Sequence, residues 1–224
     1  MVPFRIKICG ITQLADAMHA AGAGADAIGL NFVPGSPRCL SVDAAVHCLS
    51  GLPPSIRKVG VFANAQSDVI MKLFEQLDLD YVQLHGDETP AFASSLGLPY
   101  LRAIPCHSQT GEASLLAQIQ HWRTASRPPS GLLLDAVVSG QFGGTGKTID
   151  WALAKGTVEK VPDIPVILAG GLEPGNVAEA IELVRPAGVD VASGVEVTSG
   201  IKSPELVTTF VGQALFALGD SEPG

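Results

Sequence analysis

A single-domain (β/α)₈ barrel is the fold this sequence predicts, and three observations predict it. Short apolar runs rich in Val, Ile and Leu alternate with helix-like segments along the whole chain. The runs are apolar at consecutive positions, as parallel strands covered on both faces are. Eight such units over 224 residues leave about 28 residues for each, compact but sufficient for a closed barrel. An open doubly wound sheet would alternate in the same way, but eight regular units and the lack of an early Gly-x-Gly-x-x-Gly turn favour the barrel.

Taken in order, the first strand is FRIKIC (4–9), followed by a helix in TQLADAMHAAGAG with Thr12 at its N-cap. AIGLNF (27–32) precedes a loop, PGSPR, and a helix that opens at Ser41. KVGVF (58–62) leads to a helix opening at Ser67, and YVQLH (81–85) to one capped by Thr89 with Pro90 in its first turn. YLRAI (100–104) is paired with EASLLAQIQHW, and GLLLD (131–135) with DWALAKG across a glycine-rich loop. PVILAG (165–170) precedes EPGNVAEAIELVRP. GVDVAS (188–193) precedes the last helix, capped by Ser203 and begun by Pro204. No low-complexity linker divides the chain, so the barrel domain is read as 1–218, with GDSEPG (219–224) a frayed tail.

Composition sets the class. The chain is 46% hydrophobic and 16% charged, which supplies a large core and argues against disorder. A net charge of −8 disfavours nucleic acid as a partner, although a small anion can still be held by local positive groups. Cys9, Cys39, Cys48 and Cys106 show neither a Cys-x-x-Cys pair nor metal spacing, which suits a reducing compartment. The start, MVPFRIKICG, lacks the apolar stretch of a signal peptide, and nowhere do 18 apolar residues run together. A soluble cytoplasmic protein is expected, with no membrane partner.

Barrel chemistry sits at the C-terminal ends of the strands. Two groups there can move protons: Cys9, closing the first strand, and Asp135, closing the sixth. A thiolate can act as a general base if cationic neighbours help it ionise, and Lys7 lies two residues back on the same face of the strand. A partly desolvated aspartate can hold and donate a proton at neutral pH. Base and acid flanking one ligand suggest an isomerisation.

The glycine turns Gly170–Gly171 and Ser193–Gly194 follow strands seven and eight, where barrels bind phosphate through backbone N–H groups. Asp190 has parity opposite to Val189 and Val191; facing inward, it needs a partner to stay ionised. Arg38 is either a solvated loop residue or the partner of a substrate carboxylate. His85 stands beside Asp87 and Glu88, which is no zinc motif, and no metal site is expected.

One stretch points elsewhere. GQFGGTGKT ends as a nucleotide-binding P-loop does, but the first glycine, Gly140, stands one residue too early for the Gly-x₄-Gly-Lys-Thr spacing. Several loop residues also separate it from its strand. An extra residue changes which backbone N–H groups converge on one phosphate, so the nucleotide reading is disfavoured.

KICGIT, SPR, VGVFAN, VQLHGDE, LLLDA with GGTGKTIDW, ILAGGLEPGNV, and VDVASGVE with GIKSPE occur in this order from residue 6 to about 206. Together they resemble the phosphoribosylanthranilate isomerases of tryptophan biosynthesis. The resemblance implies a (β/α)₈ enzyme without cofactor or metal, acting on a small phosphorylated sugar–anthranilate by an Amadori rearrangement. It leaves room for a homodimer. It implies Cys9 as general base and Asp135 as general acid, Arg38 facing the anthranilate carboxylate, and Asp190 supporting the sugar. Lys7, His85 and Gly144 join Arg38 and Asp190 as expected substrate-binding residues. Gly170, Gly171, Ser193 and Gly194 form the expected phosphate site. Gly143, Gly144 and Gly146 then hinge a flap behind Asp135. Ala192 replaces a common serine, and Cys39 a common aromatic. A histidine-pathway isomerase would carry an aspartate at Cys9, and a non-enzymatic barrel could dispense with both Cys9 and Asp135.

Overall fold

Successive residues of a strand face opposite ways, and in this chain both directions are largely apolar. The computed structural model describes residues 2–106, 109, 111–136 and 149–219. Its strands β1 (Ile6–Cys9), β2 (Ala27–Asn31), β3 (Arg57–Phe62), β4 (Tyr81–Leu84), β5 (Tyr100–Pro105), β6 (Gly131–Asp135), β7 (Val166–Leu168) and β8 (Gly188–Val191) pair in sequence order, all parallel. β8 returns to β1, in register Lys7 with Asp190, and closes the barrel. Helices α1 (Leu14–Ala23), α2 (Val42–Leu49), α3 (Ser67–Gln76), α4 (Pro90–Leu96), α5 (Glu112–Arg123), α6 (Trp151–Lys160), α7 (Val177–Val184) and α8 (Pro204–Ala217) alternate with the strands.

Outward residues such as Ile8, Leu30, Leu84, Leu134 and Val189 pack with Ala17, Ile70, Ile119, Ala180 and Val207 of the helices in one cluster. Inward residues form layers. Phe4, Ala27, Val59, Leu101, Leu133 and Ile167 plug the lower barrel, and Cys9, Val33 and Val61 gather near the mouth. Three buried polar residues, Lys7, Gln83 and Asp190, interrupt this apolar filling. Burying such groups is costly unless each is paired or hydrogen-bonded.

Ser41, Thr89 and Ser203 cap their helices by accepting from the N–H groups of Ala44, Phe92 and Leu206, with Pro90 and Pro204 in first helical position. Two expected caps differ. Gln13 holds the N-cap of α1 because the Thr12 hydroxyl donates instead to the Gly200 carbonyl, and Gln66 holds that of α3 with Ser67 already helical. Asp150 caps α6 by accepting from the Leu153 N–H at 3.0 Å, and the helix continues past Gly156 to Lys160.

The eighth loop carries structure absent from the sequence reading: a 3₁₀ turn at Ser193–Val195, then an antiparallel hairpin of β9 (Glu196–Thr198) and β10 (Ile201–Lys202). Its signal was present. VEVTSGIK alternates around a Ser-Gly turn, and Gly200 takes φ +85° there. Of the expected tail only Gly219 is among the described residues. No described helix is long and apolar enough to cross a membrane.

Candidate active site

Cys9 ends β1 opposite Gly29 of β2. A Cβ on Gly29 would lie 2.6 Å from the Cys9 sulfur and 3.1 Å from Lys7 Nζ, so the glycine leaves room for both side chains. Lys7 is fully buried, with Nζ 2.7 Å from Asp190 Oδ1. The inward Asp190 therefore has the partner its parity demanded. Burial works against the Lys7 ammonium, but Asp190 and Cys9 outweigh it and hold its pKa above the usual lysine value. For Cys9, burial pushes the thiol pKa up; Lys7 pulls it down, Asp190 pushes it up, and Lys202 pulls it down, with burial prevailing.

Asp135 ends β6 with Oδ2 3.3 Å from His85 Nε2. On the other side of the ring, Gln83 Nε2 stands 3.1 Å from His85 Nδ1. An amide nitrogen only donates, so Nδ1 is the acceptor and the ring turns Nε2 toward Asp135. Gly170 makes space for the carboxyl: a Cβ there would overlap the Ala136 N–H and approach Asp135 Oδ1 to 2.7 Å.

The His85 turn is itself braced by Glu88, which accepts from the N–H groups of Asn64 (2.7 Å) and Gly86 (2.9 Å) and from Arg102 Nη1 (2.9 Å). The Arg102 guanidinium lies 4.7 Å from the Trp122 ring centre. A cavity of about 140 Å³ opens beside this group, lined by His85, Arg102, Ile104 and Asp135 among others.

Round the ring, β6 reaches β1 in three steps through β7 and β8. The glycine turns occupy that arc. Gly170 and Gly171 take φ +77° and +72°, conformations that glycine adopts freely. Gly194 packs so closely that a Cβ would overlap the Leu172 carbonyl oxygen, which joins loops seven and eight. Gly194→Ala is expected to lower stability by about 1–3 kcal/mol through overpacking, read as a lower denaturation midpoint with an unchanged m-value.

Arg38 is neither solvated nor unpaired. It is 6% exposed and grips Glu196 through Nε–Oε1 (2.7 Å) and Nη2–Oε2 (2.5 Å). Glu196 and its second partner Lys202 were missed in the sequence, as were Gln83 and Glu88. Gly144 and the other P-loop-like glycines lie outside the described residues. Among the described residues, no three His, Cys, Asp or Glu side chains are grouped as a metal site requires.

The family model for N-(5′-phosphoribosyl)anthranilate (PRA) isomerase matches residues 6–213. The chain belongs to the phosphoribosylanthranilate isomerase family. Among curated phosphoribosylanthranilate isomerases, those of Pseudomonas syringae pv. syringae and Azotobacter vinelandii are each 44% identical over 211 residues, covering 94% of this chain and 97% of the relative. The solved phosphoribosylanthranilate isomerase of Thermotoga maritima superposes with a TM-score of 0.82 at 34% identity, covering 94% of this chain and 98% of that one. Another solved member holds reduced 1-(o-carboxyphenylamino)-1-deoxyribulose 5-phosphate; it matches with a TM-score of 0.79 at 32% identity over 94% of this chain and 98% of its own. Membership makes the protein an isomerase of tryptophan biosynthesis.

Proposed function

We propose that the chain converts N-(5′-phosphoribosyl)anthranilate to 1-(2-carboxyphenylamino)-1-deoxyribulose 5-phosphate with Asp135 as general acid and Cys9 as general base. The observation that carries this reading is the placement of the two groups: a thiol beside Lys7 and a carboxyl beside His85, at strand ends three steps apart. Asp135 gives its proton to the furanose ring oxygen as the C1–O bond breaks, leaving a Schiff base to the anthranilate nitrogen. The Cys9 thiolate then removes the C2 proton, and the electron pair moves toward that nitrogen to form an enolamine. Tautomerisation gives the ketone. One proton is delivered and another removed, so no redox partner is required.

The remaining residues bind and orient. Lys7 stays charged against Asp190 and faces the sulfur, where it favours the thiolate over the thiol. Asp190 in turn supports the sugar. Arg38 receives the anthranilate carboxylate, and the turns at Gly170–Gly171 and Ser193–Gly194 receive the phosphate. The reading includes one barrel domain over 1–218, a cytoplasmic location and a homodimer; the solved Thermotoga maritima relative is described as dimeric.

The test is direct. Phosphoribosylanthranilate generated in situ should lose its fluorescence when the protein is added, and an unchanged decay would reject the activity. A crystal soaked in inorganic phosphate should show the anion between loops seven and eight. An anion seated on the 143–148 glycines alone would revive the nucleotide reading.

A further inference from the structure

Lys202, Glu196 and Arg38 form one buried chain of charges at the barrel mouth. The Lys202 ammonium directs its three N–H bonds to the carbonyls of Cys9 (2.6 Å) and Ala192 (3.0 Å) and to Glu196 Oε1 (2.8 Å). Glu196 Oε1 also accepts from Arg38 Nε and from the Gly200 N–H at 3.2 Å, while Oε2 takes Arg38 Nη2. The stem of Arg38 crosses Gly10, where any Cβ would overlap its Cδ. Loops one, two and eight are therefore tied together through two side chains of the hairpin.

Among the described residues, two cations hydrogen-bond one carboxylate: Asp16 takes the backbone N–H of Lys202 at 3.0 Å, Asp190 is matched by Lys7, and the Cys9 thiolate, once formed, is a further anion that both cations feel. Burial lowers the Lys202 pKa despite Glu196, and although burial raises the Glu196 pKa, hydrogen bonds from Arg38 and Lys202 hold it below the usual glutamate value. The guanidinium edge away from Glu196 carries Nη1, which makes no hydrogen bond to a described residue.

We propose that Glu196 and Lys202 are positioning residues for anion recognition, holding one edge of the Arg38 guanidinium so that Nη1 is left for a substrate carboxylate. This rests on Arg38 as the carboxylate-binding group, and the experiment separates the two claims. Two ligands are titrated calorimetrically: reduced carboxyphenylamino-deoxyribulose phosphate, and the same molecule without its ring carboxylate.

Arg38→Ala and Glu196→Gln are each expected to weaken the first ligand by about tenfold or more and the second by less than about threefold. Lys202→Gln, which removes one of the two cations, should show the same selectivity and serves if Glu196→Gln does not fold. Equal weakening of both ligands by Glu196→Gln, or none, or tighter binding of the first, would overturn the proposal while Arg38→Ala still discriminates. If Arg38→Ala fails to discriminate, the assignment of Arg38 itself falls.

Discussion

Cys9→Ser is expected to lower kcat by about 10²–10⁴-fold while changing KM little. The substitution keeps the side-chain outline beside Gly29 and Lys7 but replaces a thiol by a far weaker acid. Almost no serine alkoxide forms at neutral pH, so the C2 proton has no acceptor. On the proposed assignment, phosphate and carboxylate recognition lie on other loops, which is why KM should hold.

The sign of the pH dependence follows from the same residue. With Cys9 as the proposed base the active form is the thiolate, and burial, prevailing over Lys7 and Lys202, raises the thiol pKa. The Cys9 ionisation should therefore keep kcat/KM of the wild-type protein rising through and beyond the ordinary thiol range of about 8.5. Lys7→Met should displace that rise to still higher pH, since it removes the largest opposing influence. A buried cysteine without a catalytic role makes the contrary forecast: Cys9→Ser would cost some stability and leave kcat within about threefold of wild type, with no change in profile. Steady-state kinetics on the folded variants separates the two.

What was legible in the sequence follows from how local each signal is. Cys9 and Asp135 stood out because each closes an apolar strand, and a strand end is where a barrel exposes side chains to its site. The parity of Asp190 against Val189 and Val191 placed it inside the barrel, and the need for a partner there is met by Lys7. Caps at Ser41, Thr89 and Ser203 are local events and appear as read.

Thr12 failed as a cap for a non-local reason: its hydroxyl is engaged by Gly200, far along the chain. Glu196, Lys202 and Glu88 were missed for the same reason. A loop carboxylate reads as solvated until the fold brings Arg38 to Glu196, or Asn64 and Arg102 to Glu88. Gln83 had a readable signal, since it shares strand parity with His85 two residues on. A glutamine in an apolar strand, 1% exposed, requires a polar neighbour, and that neighbour is the imidazole facing Asp135.

Asp135→Asn should depress kcat by a similar factor, about 10²–10⁴-fold, because an amide cannot protonate the ring oxygen. The variant is a fair test of chemistry because its surroundings can stay as they are. The asparagine can keep the same 3.3 Å approach to His85 Nε2, and Gly170 leaves the same space for either side chain. Affinity for the reduced product analogue should therefore remain near that of the wild type, and kcat and kcat/KM should fall together, as expected when an interaction made only in the transition state is lost. His85 supplies the rival. His85 is the other candidate donor, with Nε2 3.3 Å from Asp135, and if it gave the proton, Asp135→Asn would keep substantial turnover while His85→Gln abolished it. With Asp135 as donor the order reverses: Asp135→Asn is the more damaging change, and His85→Gln, which removes only a neighbour of the acid, retains measurable activity. Comparing kcat for these two variants assigns the proton to one residue or the other.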